Sequence, residues 1–229
     1  MKGIDILAAF ELEINKINNA IEKPLTDDSL YWINQAAVKF AKDRFNGNGP
    51  KRTSYEQNEK RTRDLIGLFI NTTLAPPIVD NTPVNYTQYI YKYPTNMMFV
   101  LNEDVTISDL NDDYKMDTCV FECTADNFMY RINNSLTDFH YRYHRARPLR
   151  VRTKDGFKLL TDKNYKINSY SLGYLKVPTE ITSADPDQDY TDFADHIWLE
   201  IIKIAAQMYI ENQSDPRYRT LTNEVLTQE

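Results

Sequence analysis

The chain has 229 residues, a formal net charge of −6 and an isoelectric point near 5.2. Apolar residues make up 41% of it and charged residues 26%, which is enough apolar side chain for a packed core without disulfides or metals. Because the net charge is negative, the protein as a whole has no basic surface of the kind that binds duplex DNA. No apolar run reaches about 18 residues, and Asp5, Glu11 and Glu13 interrupt the start, so neither a membrane-spanning helix nor a signal peptide is predicted.

The N-terminal part of the chain carries helical signals. Apolar side chains recur every three or four residues over 4–22, and they are Leu7, Phe10, Ile14, Ile17 and Ile21. Pro24 ends this predicted helix, because proline cannot continue the hydrogen-bond ladder. Thr26 offers an N-cap for a second helix that runs to about Phe45.

A third helix is predicted over about 55–70, because Ser54 and Gln57 match a capping box. The "NGNG" stretch at 46–49 and Pro50 separate it from the second helix. Short connections join the three helices, so they are expected to pack as a bundle.

A β-rich unit is predicted from about 85 to 180. The stretch before it, 71–85, contains three prolines and other turn residues. Short strand candidates then follow as "YTQYIYKY", "MMFVL", "TCVFECTA", "PLRVRT", "FKLLT", "YKINSY" and "GYLKV". Asp155 and Gly156 lie between two of them and predict a hairpin turn.

Helical spacing returns at about 192–212, with Asp192 as the predicted N-cap. The apolar face of this helix is formed by Ile197, Ile201, Ile204, Ala205 and Met208. A single long helix needs apolar partners, and the nearest stripes of the same kind are at the N-terminus.

The predicted fold is therefore α+β, a helical bundle built from N-terminal helices and a C-terminal helix, with an inserted β-rich, sandwich-like unit. The predicted parts are the helical residues 1–72, the β-rich unit 85–180, the helix 190–212 and an extended tail 213–229.

Motifs for catalysis or cofactor binding are not found. The sequence has no phosphate-binding loop, no dinucleotide loop and no nucleophile elbow. His140 and His144 are predicted to lie at the surface, and His196 to pack near a helix start. Cys119 and Cys123 are predicted to be reduced thiols on one face of a strand. We expect no cofactor, no metal and no enzyme activity.

An acidic stretch alternates aspartates at Asp185, Asp187 and Asp189, as the start of a calcium loop does. Such a loop also needs a glycine at its sixth position and a glutamate at its twelfth, where this chain has Tyr190 and His196. The stretch is therefore predicted to be an acidic loop before a helix.

Residues 140–158 carry seven positive charges and one negative in an acidic protein. The arginines in this segment are Arg142, Arg145, Arg147, Arg150 and Arg152. Three interpretations are open: a solvated edge strand guarded by charge, a surface that docks on an acidic neighbour, or a sequence-independent contact with DNA. The chain has acidic surfaces of its own for such docking, at 102–113 and 185–195.

Three long segments give the chain a resemblance to a known family. They are "LTDDSLYWINQAAVKFAKDRFNGNG" with "SYEQNEKRTRDLIGLF", then "RARPLRVRTKDGFKLLTDKNYKINSYSLGYLKVP", then "IWLEIIKIAAQMYIENQSDPRY". Together they resemble a head–tail connector ring protein of crAss-like bacteriophages. That protein is similar in architecture to tail tubular protein A and the head-completion adaptors of short-tailed phages.

The resemblance implies a structural virion protein that forms a ring, usually of twelve copies, between portal and tail. It implies four partners: other copies of the chain, the portal protein, the next tail ring and transiently the packaged double-stranded DNA, with no membrane partner. It implies assembly in the host cytoplasm. By position, residues 213–229 would reach the portal, with Arg217, Tyr218 and Arg219 among them. The alternative is a non-specific nucleic-acid-binding module that uses residues 142–158.

Overall fold

A computed structural model describes residues 1–17, 24–46, 59–185 and 187–212. The chain divides into two compact units, a helical unit of Met1–Leu68 with the chain from Val177 onward, and a β unit of Phe69–Lys176. The helices are α1 (Gly3–Ile17), α2 (Thr26–Asn46), α3 (Glu59–Asp64), α4 (Phe128–Asn133) and α5 (Asp195–Asn212).

The helical unit packs α1 and α2 against α5. Ile14 of α1, Ile33 of α2 and Ile201 of α5 are all fully or almost fully buried, as the three- and four-residue spacing predicted. Tyr209 of α5 lies between the other two helices, with ring centroids 6.4 Å from those of both Phe10 and Trp32. Burial of each such side chain stabilises the fold by about 1.5–3 kcal/mol. Helices from both ends therefore share one core.

The predicted third helix is too long at its C-terminal end. α3 ends at Asp64, a 3-10 turn spans Ile66–Leu68, and a strand begins at Phe69. Residues 69–73 pair with β9 instead of continuing the helix. Just before them the backbone of Gly67 packs closely on another segment, where a Cβ atom would lie 2.3 Å from the carbonyl oxygen of Asp192. The predicted residues 18–22 of the first helix and the capping pair Ser54 and Gln57 lie outside the described residues.

α5 begins three residues later than predicted. The carbonyl of Ala194 accepts the first helical hydrogen bonds, from the N–H groups of Ile197 at 2.9 Å and Trp198 at 3.1 Å. Asp192 therefore lies before the N-cap position, and its carboxylate accepts a hydrogen bond from the N–H of Thr179 at 2.6 Å.

The β unit contains nine strands in two sheets. The strands are β1 (Phe69–Thr73), β2 (Ile78–Asp80), β3 (Thr87–Lys92), β4 (Met97–Asp109), β5 (Lys115–Cys119), β6 (Phe121–Cys123), β7 (Leu149–Arg152), β8 (Gly156–Thr161) and β9 (Tyr165–Lys176). One sheet has the order β1-β9-β4-β5 and the other β2-β3-β8-β7-β6. Their neighbouring strands are antiparallel except β6 and β7, which are parallel.

One aromatic core joins the two sheets as a sandwich. Tyr91 of β3 and Phe157 of β8 pack against Tyr170 of β9, with ring centroids 4.9 Å and 6.1 Å from it. Alternate residues of β3, β4 and β8 enter this core, because successive side chains of a strand point to opposite faces. A smaller cluster on the other face of the five-stranded sheet includes Ile132 of α4 and Leu149 of β7. The α+β fold with an inserted sandwich is confirmed.

Several strand predictions need correction. β1 begins in the predicted third helix and continues, like β2, in a stretch predicted to be turn, and "YKINSY" with "GYLKV" form one strand, β9. β1 forms because its five residues pair with β9, from Phe69 opposite Leu175 to Thr73 opposite Ser171. The predicted "CVFEC" strand is divided at Val120, so the exposed Cys119 and the buried Cys123 belong to different sheets. The hairpin predicted at Asp155 and Gly156 joins β7 to β8 and is confirmed.

Candidate functional site

The arginine-rich segment is divided by the fold into two parts with different surroundings. Residues 142–145 form a tight turn, here named the arginine turn. Arg150 and Arg152 belong to β7, which lies between β6 and β8. The interpretation of this segment as an edge strand guarded by charge is therefore wrong.

Arg150 is buried in a network of ion pairs. Arg150 as a whole is only 2% exposed. Its guanidinium contacts the carboxylate of Glu103 on β4, and it lies 2.7 Å from the carboxylate of Glu122 on β6. The hydroxyl of Tyr170 also donates to Glu103. Burial alone would lower the pKa of Arg150, but the hydrogen bond and charge of Glu103 and the charge of Glu122 raise it overall. Arg150 stays charged and joins the two sheets.

Arg152 lies two residues further on and reaches the same carboxylate, with its Nε 2.9 Å from Glu122 Oε1. The predicted alternation is thus present, because Arg150 and Arg152 share a face of β7. Their surroundings differ, since the side chain of Arg152 is 58% exposed and that of Arg150 only 3%. The sequence did not single out Glu103 and Glu122 as partners. The available signal was Glu122 inside the strand candidate "TCVFECTA" and Glu103 at the start of the acidic run 102–113.

The arginine turn is a two-residue hairpin turn. The N–H and C=O groups of Arg142 and Arg145 bond to each other at 3.0 and 2.9 Å. The two central residues, Tyr143 and His144, have φ angles of 50° and 61°. This is the type I′ conformation, which non-glycine residues rarely adopt. It leaves Tyr143 at the tip, 93% exposed.

A stacked ring supports the base of the turn. The His144 ring lies 3.8 Å from the ring centroid of Tyr114, with an angle of 26° between the planes. Tyr114 precedes β5 and is itself half exposed. The turn is therefore fixed by two backbone bonds and one ring stack, although its residues carry no turn signal such as Asn-Gly.

A cavity of about 350 Å³ lies beside the turn and is here named the loop pocket. Its lining includes Met116, Leu136, Asp138, Arg142, Arg145 and Arg147. Arg142 donates to the carbonyl of Ser135, and Arg147 contacts Cys119 Sγ and lies 4.0 Å from Asp138. These six lining residues thus carry three positive charges and one negative. Arg142, Arg145 and Arg147 are brought together here, and Arg150 and Arg152 lie elsewhere, in the network with Glu122.

The acidic run at 102–113 is largely engaged inside the β unit. Glu103 pairs with Arg150, and Asp112 pairs with Lys166 and accepts a hydrogen bond from Ser108 at 2.8 Å. The hydrogen bonds from Lys166 and Ser108 hold the pKa of Asp112 below its usual range. Asp104 accepts from Asn102 at 3.2 Å.

Three aspartates of the second acidic run, 185–195, are open to solvent, whereas Asp192 in the same run is buried. Asp185, Asp187 and Asp189 are all exposed. Asp187 lies 3.5 Å from Lys2 Nζ, and its side chain is 85% exposed. An ion pair of this kind contributes little in water, so Asp185, Asp187 and Asp189 keep their negative charge available.

The histidines do not form a ligand set. His140 Nδ1 lies 3.9 Å from Asp162 Oδ2, and His144 stacks on Tyr114 as described above. His196 is exposed, so its predicted packing role is wrong. Within the described ranges, no three His, Cys, Asp or Glu side chains are grouped for a metal ion, and no helix is long and apolar enough to cross a membrane. Arg217, Tyr218 and Arg219 lie outside those ranges.

Comparison with known proteins gives one family. A family model described as phage tail ring protein 3/4, of the crAss ring group, matches residues 12–190. The match includes α2, all nine strands and the whole arginine-rich segment. No curated protein matches the chain.

Proposed function

The chain belongs to the crAss-like phage tail ring protein 3/4 family, and from this premise we propose that its copies form a ring between the portal and the tail. The ring extends the DNA channel and docks the next tail protein. Twelve copies are expected, and assembly takes place in the host cytoplasm before the ring enters the virion. The family describes a structural component of the phage, so the role needs no catalytic site.

The observation that best supports self-assembly is the composition of the surface around the arginine turn. Tyr143 and Leu136 are 93% and 83% exposed, and they lie beside Arg142, Arg145 and Arg147. Tyrosine and arginine are enriched where proteins meet, and exposed apolar side chains are stabilised when a partner covers them. A ring needs two different complementary surfaces on each copy. We propose that this surface contacts an acidic surface of the neighbouring copy.

The two other contacts of the ring follow from position and charge. Residues 213–229, with Arg217, Tyr218 and Arg219, are proposed to reach the portal. The chain is acidic overall, with a net charge of −6. An acidic channel wall would let DNA slide, because a strongly basic wall would hold it through phosphate contacts.

The test is sedimentation of the full chain, alone and with the portal protein of its phage, at moderate salt. We expect a large complex of fixed stoichiometry in at least one of the two samples, the chain alone or the chain with the portal protein. A different result would contradict the ring proposal: no complex forms in either sample, and the chain binds double-stranded DNA at low salt but not at high salt. The protein would then be a non-specific nucleic-acid-binding module. The burial of Arg150 and its ion pairs disfavour that alternative, because they remove charge from the 142–158 surface.

A further inference from the structure

We infer that the loop pocket and Tyr143 of one copy bind the aspartates Asp185, Asp187 and Asp189 of the next copy. This inference rests on the proposed ring and names the contact that would close it. The basic surface belongs to the β unit and the aspartates to the helical unit. The two surfaces are thus different, as a head-to-tail contact requires.

The loop pocket has the chemistry of a protein contact rather than of a phosphate track. Apolar Leu136 and Met116 line it together with the arginines, and exposed Tyr143 lies at the tip of the turn beside it. Surfaces that track a nucleic-acid backbone rely on cations and on aromatic rings that stack bases. An exposed leucine and methionine gain nothing from a phosphate, whereas a protein segment removes them from water.

The arginine turn holds this surface in a fixed shape before a partner arrives. Tyr143 and His144 both have left-handed φ angles, and the stack of His144 on Tyr114 with the two Arg142–Arg145 backbone bonds maintains them. Backbone strain of this kind concentrates at functional sites. A rigid turn also lowers the entropy lost on binding, because little has to be ordered when the partner docks.

Internal contacts favour Asp185, Asp187 and Asp189 as the partner over the run 102–113. In the run 102–113, Glu103 and Asp112 are already paired with Arg150 and Lys166. Binding the neighbour's arginines there would compete with these pairs. Asp185, Asp187 and Asp189 are exposed. The Asp187 contact with Lys2 at 3.5 Å is at the surface, where such a pair is easily exchanged.

A charge exchange tests the contact. Arg145→Glu should weaken self-association at least about tenfold, because like charges then face each other. Adding Asp187→Arg to the Arg145→Glu chain should restore most of the lost self-association. Lys154→Glu is the matched control, since it makes the same charge change in the exposed turn between β7 and β8, and it should leave assembly unchanged.

A cross-link provides a second and independent readout. In a Cys119→Ser background, Leu136→Cys combined with Gln188→Cys should give a ladder of covalent multimers on oxidation. Leu136→Cys combined with Thr95→Cys is the control pair and should give none. The inferred contact is wrong if the wild-type chain forms rings, Asp187→Arg does not restore the self-association lost in Arg145→Glu, and the Leu136→Cys and Gln188→Cys pair gives no covalent multimers. The proposed ring itself would not be affected by that result. If the wild-type chain forms no ring alone or with the portal, both proposals fail.

Discussion

Glu103 on β4 and Arg150 on β7 form an ion pair that connects the two sheets of the sandwich. Both side chains are almost fully removed from water, at 12% and 3% exposure. The hydroxyl of Tyr170 donates to the same carboxylate, and Glu122 accepts from the other side of the guanidinium. Removing two charges from water is unfavourable unless each is paired and hydrogen-bonded. The two terminal guanidinium nitrogens meet that condition through Glu103 and Glu122, although Nε is buried without a hydrogen bond to the described residues. Arg150 therefore acts in the fold rather than at the surface.

Arg150→Met should destabilise the β unit by about 3–5 kcal/mol, because it leaves Glu103 charged and buried without its cation. Arg152→Met removes an exposed partner of Glu122 and should change stability by less than about 1 kcal/mol. Hydrogen exchange of the β4 and β7 amides measures the effect on this unit. Tryptophan fluorescence follows the helical unit, because Trp32 and Trp198 both lie there. Equal protection in the two variants would show that the pair contributes nothing.

Tyr143→Gly should separate stability from assembly. Glycine adopts the left-handed conformation without the penalty of about 1–2 kcal/mol that a side chain brings, so the turn should be at least as stable. Self-association should nevertheless weaken, because the exposed ring is lost. Tyr143→Phe should keep most of the association. Thermal unfolding and sedimentation velocity measure the two properties, and unchanged association of the glycine variant would remove Tyr143 from the interface.

Asp112 should contribute a pH-dependent part of stability. The hydrogen bonds from Lys166 and Ser108 lower its folded-state pKa, whereas an unperturbed aspartate has a pKa of about 3.9. A lowered folded pKa means that the stabilisation is fully present above the unfolded pKa and is lost as the pH falls through the folded pKa. Asp112→Asn should therefore flatten the stability profile below about pH 5. Urea unfolding at several pH values, compared with Asp117→Asn, measures this slope.

Two glycines should respond differently to alanine. At Gly67 the new methyl group would meet the backbone carbonyl of Asp192 at 2.3 Å, and backbone cannot move aside easily. We expect a loss of about 1–3 kcal/mol in the helical unit. At Gly173 the methyl group would meet the side chain of Asn102, which is exposed and can turn away. That variant should lose less than about 1 kcal/mol. Denaturant midpoints test the contrast.

The sequence predicted the helices best, because their signal is local. The spacing of Phe10 and Ile14, and of Ile197 and Ile201, repeats within each helix and does not depend on contacts elsewhere. The boundary at Gly67 could not be predicted in the same way. The residues after it pair with β9, and the backbone of Gly67 packs against Asp192, so both partners come from distant parts of the chain.

The arginines of the candidate site also depend on contacts that the sequence alone could not reveal. Arg150 and Arg152 are equivalent in any alternating pattern, and only the neighbouring strands β4 and β6 bury one and expose the other. The arginine turn was missed because its central residues are Tyr143 and His144 rather than Asn-Gly. A cluster of tyrosines, histidines and arginines at this point was visible in the sequence. Its exposed apolar neighbours come from β5 and from the segment after α4, so they could not be assigned to it.

The insertion of the sandwich sets an order of events during synthesis. α1 and α2 leave the ribosome first, but α5, which covers their apolar faces, follows only after the whole β unit. At 5–20 residues per second the delay between α2 and α5 is roughly 7–30 s. During that interval Ile14 and Ile33 lack the side chains that bury them in the finished protein. The apolar faces of α1 and α2 therefore stay uncovered while the whole sandwich is being synthesised.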